Sequence, residues 1–198
     1  MILQAARLTA WKGQSVLIEA ARLLQERGQL GDAVVVLAGS AQGRGGYAAM
    51  LKHEIEATGL TGRVRLVGHV DDVAAAFLTS RVAVIASTEP EAFGRTATEA
   101  QAMGTPVIAT DIGAPPETVR STQRAGREAA TGWLVPAGDA HALAETLVAA
   151  LALTPQERQR MGEQARAHIT RAFSLAGMKQ QTLAIYDDLL GTHLAAQS

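Results

Sequence analysis

Short apolar runs alternate along the chain with longer segments whose apolar positions recur at helical spacing, which marks βα units wound around a mainly parallel sheet. Ile2 to Ala6 and Ala33 to Ala38 predict strands. Between them, Gln14 to Arg27 predicts a helix whose Leu17, Ala20, Ala21 and Leu24 share one stripe before Gly28 ends it. Tyr47 to Thr58 follows as a helix, Val64 to Val67 as a strand, Asp71 to Thr79 as a short helix and Val82 to Ala86 as a β-branched strand. Gly94 to Met103 predicts a helix stopped by Gly104, Pro106 to Thr110 a strand, Pro115 onward a short helix, and Trp133 to Val135 a last strand. Ala140 to Ala152, Pro155 to Ala172 and Leu175 to Leu190 predict three helices in succession. The expected fold is a doubly wound, mainly parallel α/β sheet of about six strands with C-terminal helices.

Composition narrows this picture without changing it. With 47% hydrophobic and 19% charged residues over 198 positions, the chain has the profile of a packed domain. No composition break, charge block or low-complexity linker divides it, so residues 1–198 read as one domain. A formal charge of −1 supplies no diffuse field for a polyanion, so no nucleic-acid partner is expected and any bound anion must be held by a few local charges. The absence of cysteine removes disulfides, thiolate metal sites and a cysteine nucleophile, and fits a reducing compartment. Met1 to Ala6 is too short for a signal-peptide core, and no run of roughly eighteen apolar residues could span a bilayer. The expectation is a cytoplasmic protein without a membrane span.

In a doubly wound sheet the ligand sits at the carboxyl ends of the strands, where helix N-termini converge. After the first strand, Arg7 and Lys12-Gly13 place two cations beside a helix start whose free N–H groups also favour an anion; a diphosphate fits there, and a solvated pair flanking a helix cap is the bland alternative. After the fourth strand, Glu91-Ala-Phe-Gly94-Arg95-Thr96-Ala-Thr-Glu99 sets one carboxylate before a helix and another about one turn inside it. Gly94 permits close backbone approach to a phosphate, and an ionised Glu99 can accept hydrogen bonds from two ribose hydroxyls. Taken singly, Glu91 reads as an acid favoured by the helix dipole, Glu99 as surface charge and Phe93 as a core plug; the constellation is what points to a site. After the third strand, the backbone of Gly68-His69-Val70 could read a nucleobase edge, though a loop histidine such as His69 is more often just solvated. The glycines between Gly39 and Gly46 suggest a mobile loop, and they form neither a dinucleotide fingerprint nor a Walker loop.

These residues together resemble a known family. Arg7 with Lys12-Gly13, the Glu91 and Glu99 pair with Gly104-Thr-Pro106 behind it, Glu117 and Thr131-Gly132 to Pro136 are similar to the C-terminal, donor-binding domain of family-four retaining glycosyltransferases, one Rossmann-like half of the GT-B fold. The resemblance covers nearly the whole chain. It implies that Arg7 and Lys12 bind a donor diphosphate, Glu91 contacts the donor sugar and Glu99 binds ribose. It further implies that backbone groups of Gly94, Arg95 and Thr96 contact phosphate and that Gly68, His69 and Val70 lie by the base. The implied chemistry moves a sugar from a nucleoside diphosphate to an acceptor hydroxyl with retention, as in lipopolysaccharide or polysaccharide synthesis. No cofactor and no metal are expected: Arg7, Lys12 and a helix end worth roughly +0.5 sum to about +2.5 against the leaving diphosphate. Nor is there an Asp-x-Asp element to hold a metal.

Two features depart from the family pattern. Arg120 to Ala130, with its three arginines, is longer than the usual link and reads as a solvated surface loop. The family's N-terminal domain, which binds the acceptor glycan or lipid-linked glycan, has no counterpart here. The chain alone is therefore expected to turn over little, and Leu175 to Leu190 to lack its packing partner; the full enzyme would work at the inner membrane face. A non-catalytic nucleotide-sugar-binding module and a GT-B nucleotide-sugar isomerase remain open as alternatives. Glycoside hydrolysis by the glutamate pair would leave Arg7 and Lys12 without a task. Neither base, sugar nor acceptor can be read from the residues.

Overall fold

The structure is a computed structural model and describes residues 1–43 and 45–197, the last of these without its side chain. Six parallel strands, β1 (Ile2–Ala5), β2 (Val35–Ala38), β3 (Val64–Gly68), β4 (Val82–Ile85), β5 (Val107–Thr110) and β6 (Gly132–Val135), lie in the order β3-β2-β1-β4-β5-β6. The chain winds outward from β1 to β3, returns to the sheet centre at β4, and winds the other way. The reversal opens a crevice between the carboxyl ends of β1 and β4, the position at which such sheets bind ligands.

The helices are α1 (Gln14–Glu26), α2 (Gly45–Ala57), α3 (Val73–Leu78), α4 (Arg95–Ala102), α5 (Pro115–Thr118), α6 (Thr122–Ala125), α7 (Ala140–Leu151), α8 (Pro155–Ala172) and α9 (Leu175–Leu190). Strand alternation sorts the core into two layers. Ile2, Val35, Leu37, Val82, Val84 and Ile108 meet the apolar stripes of α1, α2 and α7 on one face. Leu3, Ala83, Ile85, Val107 and Ala109 meet Phe77 of α3 and Ala97 and Ala100 of α4 on the other.

Helix α8 secures α4 from its far end. Its start carries a reciprocal capping box between Thr154 and Glu157. Farther along, Gly162 packs so closely on the backbone of Gly104 that a Cβ would overlap the Gly104 carbonyl oxygen. Arg166 donates from Nε to the Ala102 carbonyl at 2.9 Å and from Nη2 to the Met103 carbonyl at 3.2 Å, placing a cation on the negative end of α4. The result is a fixed α4 whose other end faces the crevice.

Two expectations need revision. The segment from Arg120 to Ala130 is not simply a solvated loop: it contains α6, and Ser121 is buried in a bridge to Gly132. Arg120 and Thr131 exchange backbone and side-chain hydrogen bonds at 2.8 and 3.0 Å, and Arg124 forms an ion pair with Asp111 at 2.8 Å. Phe93 is not a core plug; it is half-exposed and set edge-on to Phe173 at 6.2 Å between ring centroids. In the glycine-rich segment a Cβ at Gly39 would overlap the Ala6 carbonyl oxygen, so its start lies close on the chain after β1, while Arg44 lies outside the described residues. Helix α9 buries no residue, and Leu175, Met178, Ile185, Leu189 and Leu190 all face outward.

Candidate functional site

The Lys12 element reaches the crevice through a conformation that strongly favours glycine. A single turn of tight helix, Ala10–Lys12, ends at Gly13 with φ 69°, in the left-handed region. A Cβ at Gly13 would overlap the carbonyl oxygen of Ala86 and stand 2.8 Å from its carbon, so the loop after β1 lies directly on the end of β4. The Thr88 N–H donates to the Trp11 carbonyl at 2.7 Å and closes the same junction. Lys12 is thereby carried across the topological switch.

There its ammonium donates to Glu91 Oε1 at 2.7 Å, a pair separated by 79 residues in sequence and nearly buried, with side chains 12% and 9% exposed. Ser87 Oγ donates to the same oxygen, and Lys12 Nζ also stands 4.2 Å from the centre of the Trp11 ring. The Glu91 backbone is fixed in turn: its carbonyl accepts from the Ala114 N–H at 3.0 Å, and Gly113, with φ 66°, passes so near that a Cβ would stand 2.5 Å from the Glu91 nitrogen.

Gly94, with φ 71°, turns the chain into α4 without a capping side chain, so the first N–H groups of the helix, at Arg95 and Thr96, are left to an incoming acceptor. Thr96 connects two spaces. One is a small cavity beside the ion pair, lined also by Gln4, Lys12, Ser87 and Glu91. The other is an open cleft of about 250 Å³ whose lining includes Arg7, Ser40, His69, Val70 and Glu99. The cleft runs across the carboxyl ends of β1, β2 and β3.

The structure thus brings Lys12 and Glu91 together and gathers Arg7, His69, Val70, Thr96 and Glu99 around one adjoining cleft. Among the described residues Arg7 has no hydrogen-bonded side-chain partner, while its carbonyl is held by Gln14 Nε2 at 2.8 Å. Gly68, with φ 75°, ends β3 and lets the chain turn into His69, which approaches the exposed Asp71 at 3.4 Å. Arg95 is placed differently. Its side chain is 82% exposed, pairs with Glu99 at 3.0 Å, and borders a separate apolar hollow with Phe93, Phe173 and Leu175, so only its backbone N–H is available to the crevice. The ion pairs also lower the charge sum expected from the sequence. With Lys12 neutralised by Glu91 and Arg95 by Glu99, Arg7, Lys12, Glu91 and the helix end sum to about +1.5 before any ligand arrives.

Two participants escaped the sequence reading. Ser87 shares Glu91 with Lys12, and Gln4, inside β1, donates from Nε2 to the Lys12 carbonyl at 2.6 Å. A polar residue within the otherwise apolar Ile2–Ala5 strand was the available signal for Gln4.

Residues 1–168 match the family model described as glycosyl transferases group 1. The chain belongs to that family. It is 33% identical over 186 residues to a D-inositol 3-phosphate glycosyltransferase of Corynebacterium glutamicum (strain R), a match that covers 93% of this chain and 42% of the relative. Its fold superposes on a glycosyltransferase from Rickettsia africae ESF-5 with a TM-score of 0.86 and 32% identity, covering 97% of this chain and 48% of the other. It also superposes on Anabaena Alr3699/HepE in complex with UDP, with a TM-score of 0.82 and 26% identity over 94% of this chain and 48% of the other. The chain therefore spans about half the length of these relatives and forms a single Rossmann-like half of the GT-B architecture, as the resemblance in its sequence implied. Among the described residues no helix is long and apolar enough to cross a membrane.

Proposed function

We propose that the chain is the donor-binding half of a retaining glycosyltransferase that takes a sugar from a nucleoside diphosphate and passes it to an acceptor hydroxyl. The observation that carries this reading is the Lys12–Glu91 pair at the sheet reversal, set against the uncapped start of α4 and opening through Thr96 onto a cleft that contains Arg7 and Glu99. The diphosphate lies between Arg7, Lys12 and the Arg95 and Thr96 N–H groups, the ribose at Glu99, and the base beside Gly68, His69 and Val70. The Anabaena neighbour, 26% identical to this chain, was solved with UDP, which accords with such a ligand.

In this arrangement the phosphate takes the Lys12 ammonium in competition with Glu91, and the carboxylate so released turns to the hydroxyls of the donor sugar. As the glycosidic carbon–oxygen bond breaks, negative charge builds on the leaving diphosphate, where Arg7, Lys12 and the helix end are already oriented. With Glu91 displaced onto the sugar, Arg7, Lys12 and the helix end again present about +2.5 to the diphosphate, so this reading includes no metal. Glycoside hydrolysis fits less well, because both carboxylates are committed to cations instead of forming a free acid–base pair. The acceptor, a glycan or lipid-linked glycan of a surface polysaccharide, belongs to the other half of the full-length enzyme at the inner membrane face. The outward apolar face of α9 packs against that half.

A thermal-shift screen with UDP, GDP, ADP and their sugars, run in a chelator, tests the reading. A ligand at one hundred times its Kd adds about 2.7 kcal/mol and raises the Tm of a domain this size by about 5–10 °C. If no nucleotide moves the transition, the donor-site reading fails.

A further inference from the structure

Gln4 is 2% exposed, sits on one of the two central strands of the sheet, and carries one satisfied and one unsatisfied group. Its Nε2 donates to the Lys12 carbonyl at 2.6 Å. A carbonyl only accepts, so the amide must present its nitrogen there and turn its oxygen away. That oxygen is buried and has no partner among the described residues. Leaving it so would cost about as much as a lost hydrogen bond, and a polar group in this position is ordinarily met by a bound water. Gln4 lines a cavity of about 10 Å³, close to the least volume that admits one water, and its other polar walls are Lys12, Ser87, Glu91 and Thr96.

We propose that Gln4 is a positioning residue of the donor site: it fixes the Lys12 backbone through the Lys12 carbonyl and holds, through Oε1, one buried water that joins the strand to the Lys12–Glu91 pair. This inference rests on the donor reading of the site for its functional consequence. The loop is held from two sides, by Gly13 lying on Ala86 and by Gln4 drawing down the Lys12 carbonyl. With the backbone pinned, the only freedom left to Lys12 is the swing of its side chain from Glu91 toward a phosphate. Freeing the carbonyl would add backbone disorder to that swing and weaken the hold on phosphate, while the cleft that receives base and ribose is formed by other residues.

The test uses Gln4→Met, which keeps side-chain length and removes both hydrogen-bonding groups. Calorimetry with whichever of UDP, GDP and ADP binds the wild type most tightly is expected to show about fivefold weaker binding, with no change for the parent nucleoside. In a Lys12→Ala background the same substitution is expected to change nothing further, because its effect passes through the ammonium. Equal diphosphate affinity in Gln4→Met and wild type, or equal loss for diphosphate and nucleoside, would overturn the positioning role. If no nucleotide binds the wild type, the donor reading falls and crystallography decides the placement of Gln4 alone. A water within hydrogen-bonding distance of Gln4 Oε1, with Lys12 displaced in Gln4→Met, supports the proposal. An empty cavity or an unmoved Lys12 refutes it.

Discussion

Replacing Gly13 by alanine tests whether the Lys12 loop really lies on the end of β4. The substitution imposes two separable costs. Holding a residue with a side chain at φ 69° costs about 1–2 kcal/mol relative to glycine. The added Cβ also overlaps the Ala86 carbonyl, and because the obstruction is backbone no side chain can rotate out of its way. The loop must lift, and with it goes the bond from the Thr88 N–H to the Trp11 carbonyl at 2.7 Å, a further loss of about 1 kcal/mol. Together these come to about 2–3 kcal/mol, less about 0.4–1 kcal/mol regained because alanine restricts the unfolded chain.

Gly68→Ala supplies the control. Gly68 has φ 75° with nothing within 4 Å of a built Cβ, so it carries the conformational cost and the unfolded-state gain but no overlap. In urea unfolding extrapolated to water, Gly13→Ala is expected to lose at least about 1 kcal/mol more than Gly68→Ala, with the denaturant slope unchanged. If the two variants lose the same amount, the contact between the Lys12 loop and β4 does not exist, and the placement of Lys12 beside Glu91 loses its support.

Other expectations concern the frame that holds α4 and the chain's response to acid. Burial, and after it the charges of Arg120 and Arg171, hold the His168 imidazole below its usual titration range. The folded state then resists protonation, so the contribution of this group is complete above about pH 6.5 and is lost as pH falls from there through the lower folded value. Unfolding free energies at pH 7.5 and 5.5 are expected to differ less in His168→Phe than in wild type, since every other titratable group is common to both proteins. An unchanged difference would remove His168 as the cause. Thr154→Ala breaks the capping box of α8 and is expected to cost about 1 kcal/mol in the same unfolding assay; no loss would mean the cap contributes nothing.

Much of the architecture was legible because each βα unit advertises itself locally. Apolar runs such as Val35–Ala38 and helical stripes such as that of α1 need no knowledge of distant residues, and helices α8 and α9 begin and end at Pro155, Ala172, Leu175 and Leu190 as their periodicity predicts. Helix α6 was missed because its four residues, Arg124 among them, carry no apolar stripe; its order comes from Ser121, Thr131 and Asp111 elsewhere. At the site, residue types were readable and relationships were not. Glu91 and Lys12 each carried a local signal, yet their direct pairing depends on the close approach of the Gly13 backbone to Ala86, a contact between segments on opposite sides of the sheet reversal. The same pairing lowers the positive charge that a count of cations had given. Arg95 could be placed at the helix start but not turned away from the crevice, since its partner Glu99 is also the residue that was to receive ribose.

Calorimetric titration of UDP, GDP and ADP into the wild-type chain, Lys12→Ala and Glu99→Ala, with and without magnesium, tests the donor site most directly. A site built on Lys12 and Glu99 requires at least one nucleotide to bind the wild type equally with and without the metal. Each substitution should weaken that binding by about ten- to a hundredfold, the worth of a charge-assisted hydrogen bond. Undiminished binding in both variants, or binding that appears only with magnesium, would contradict it.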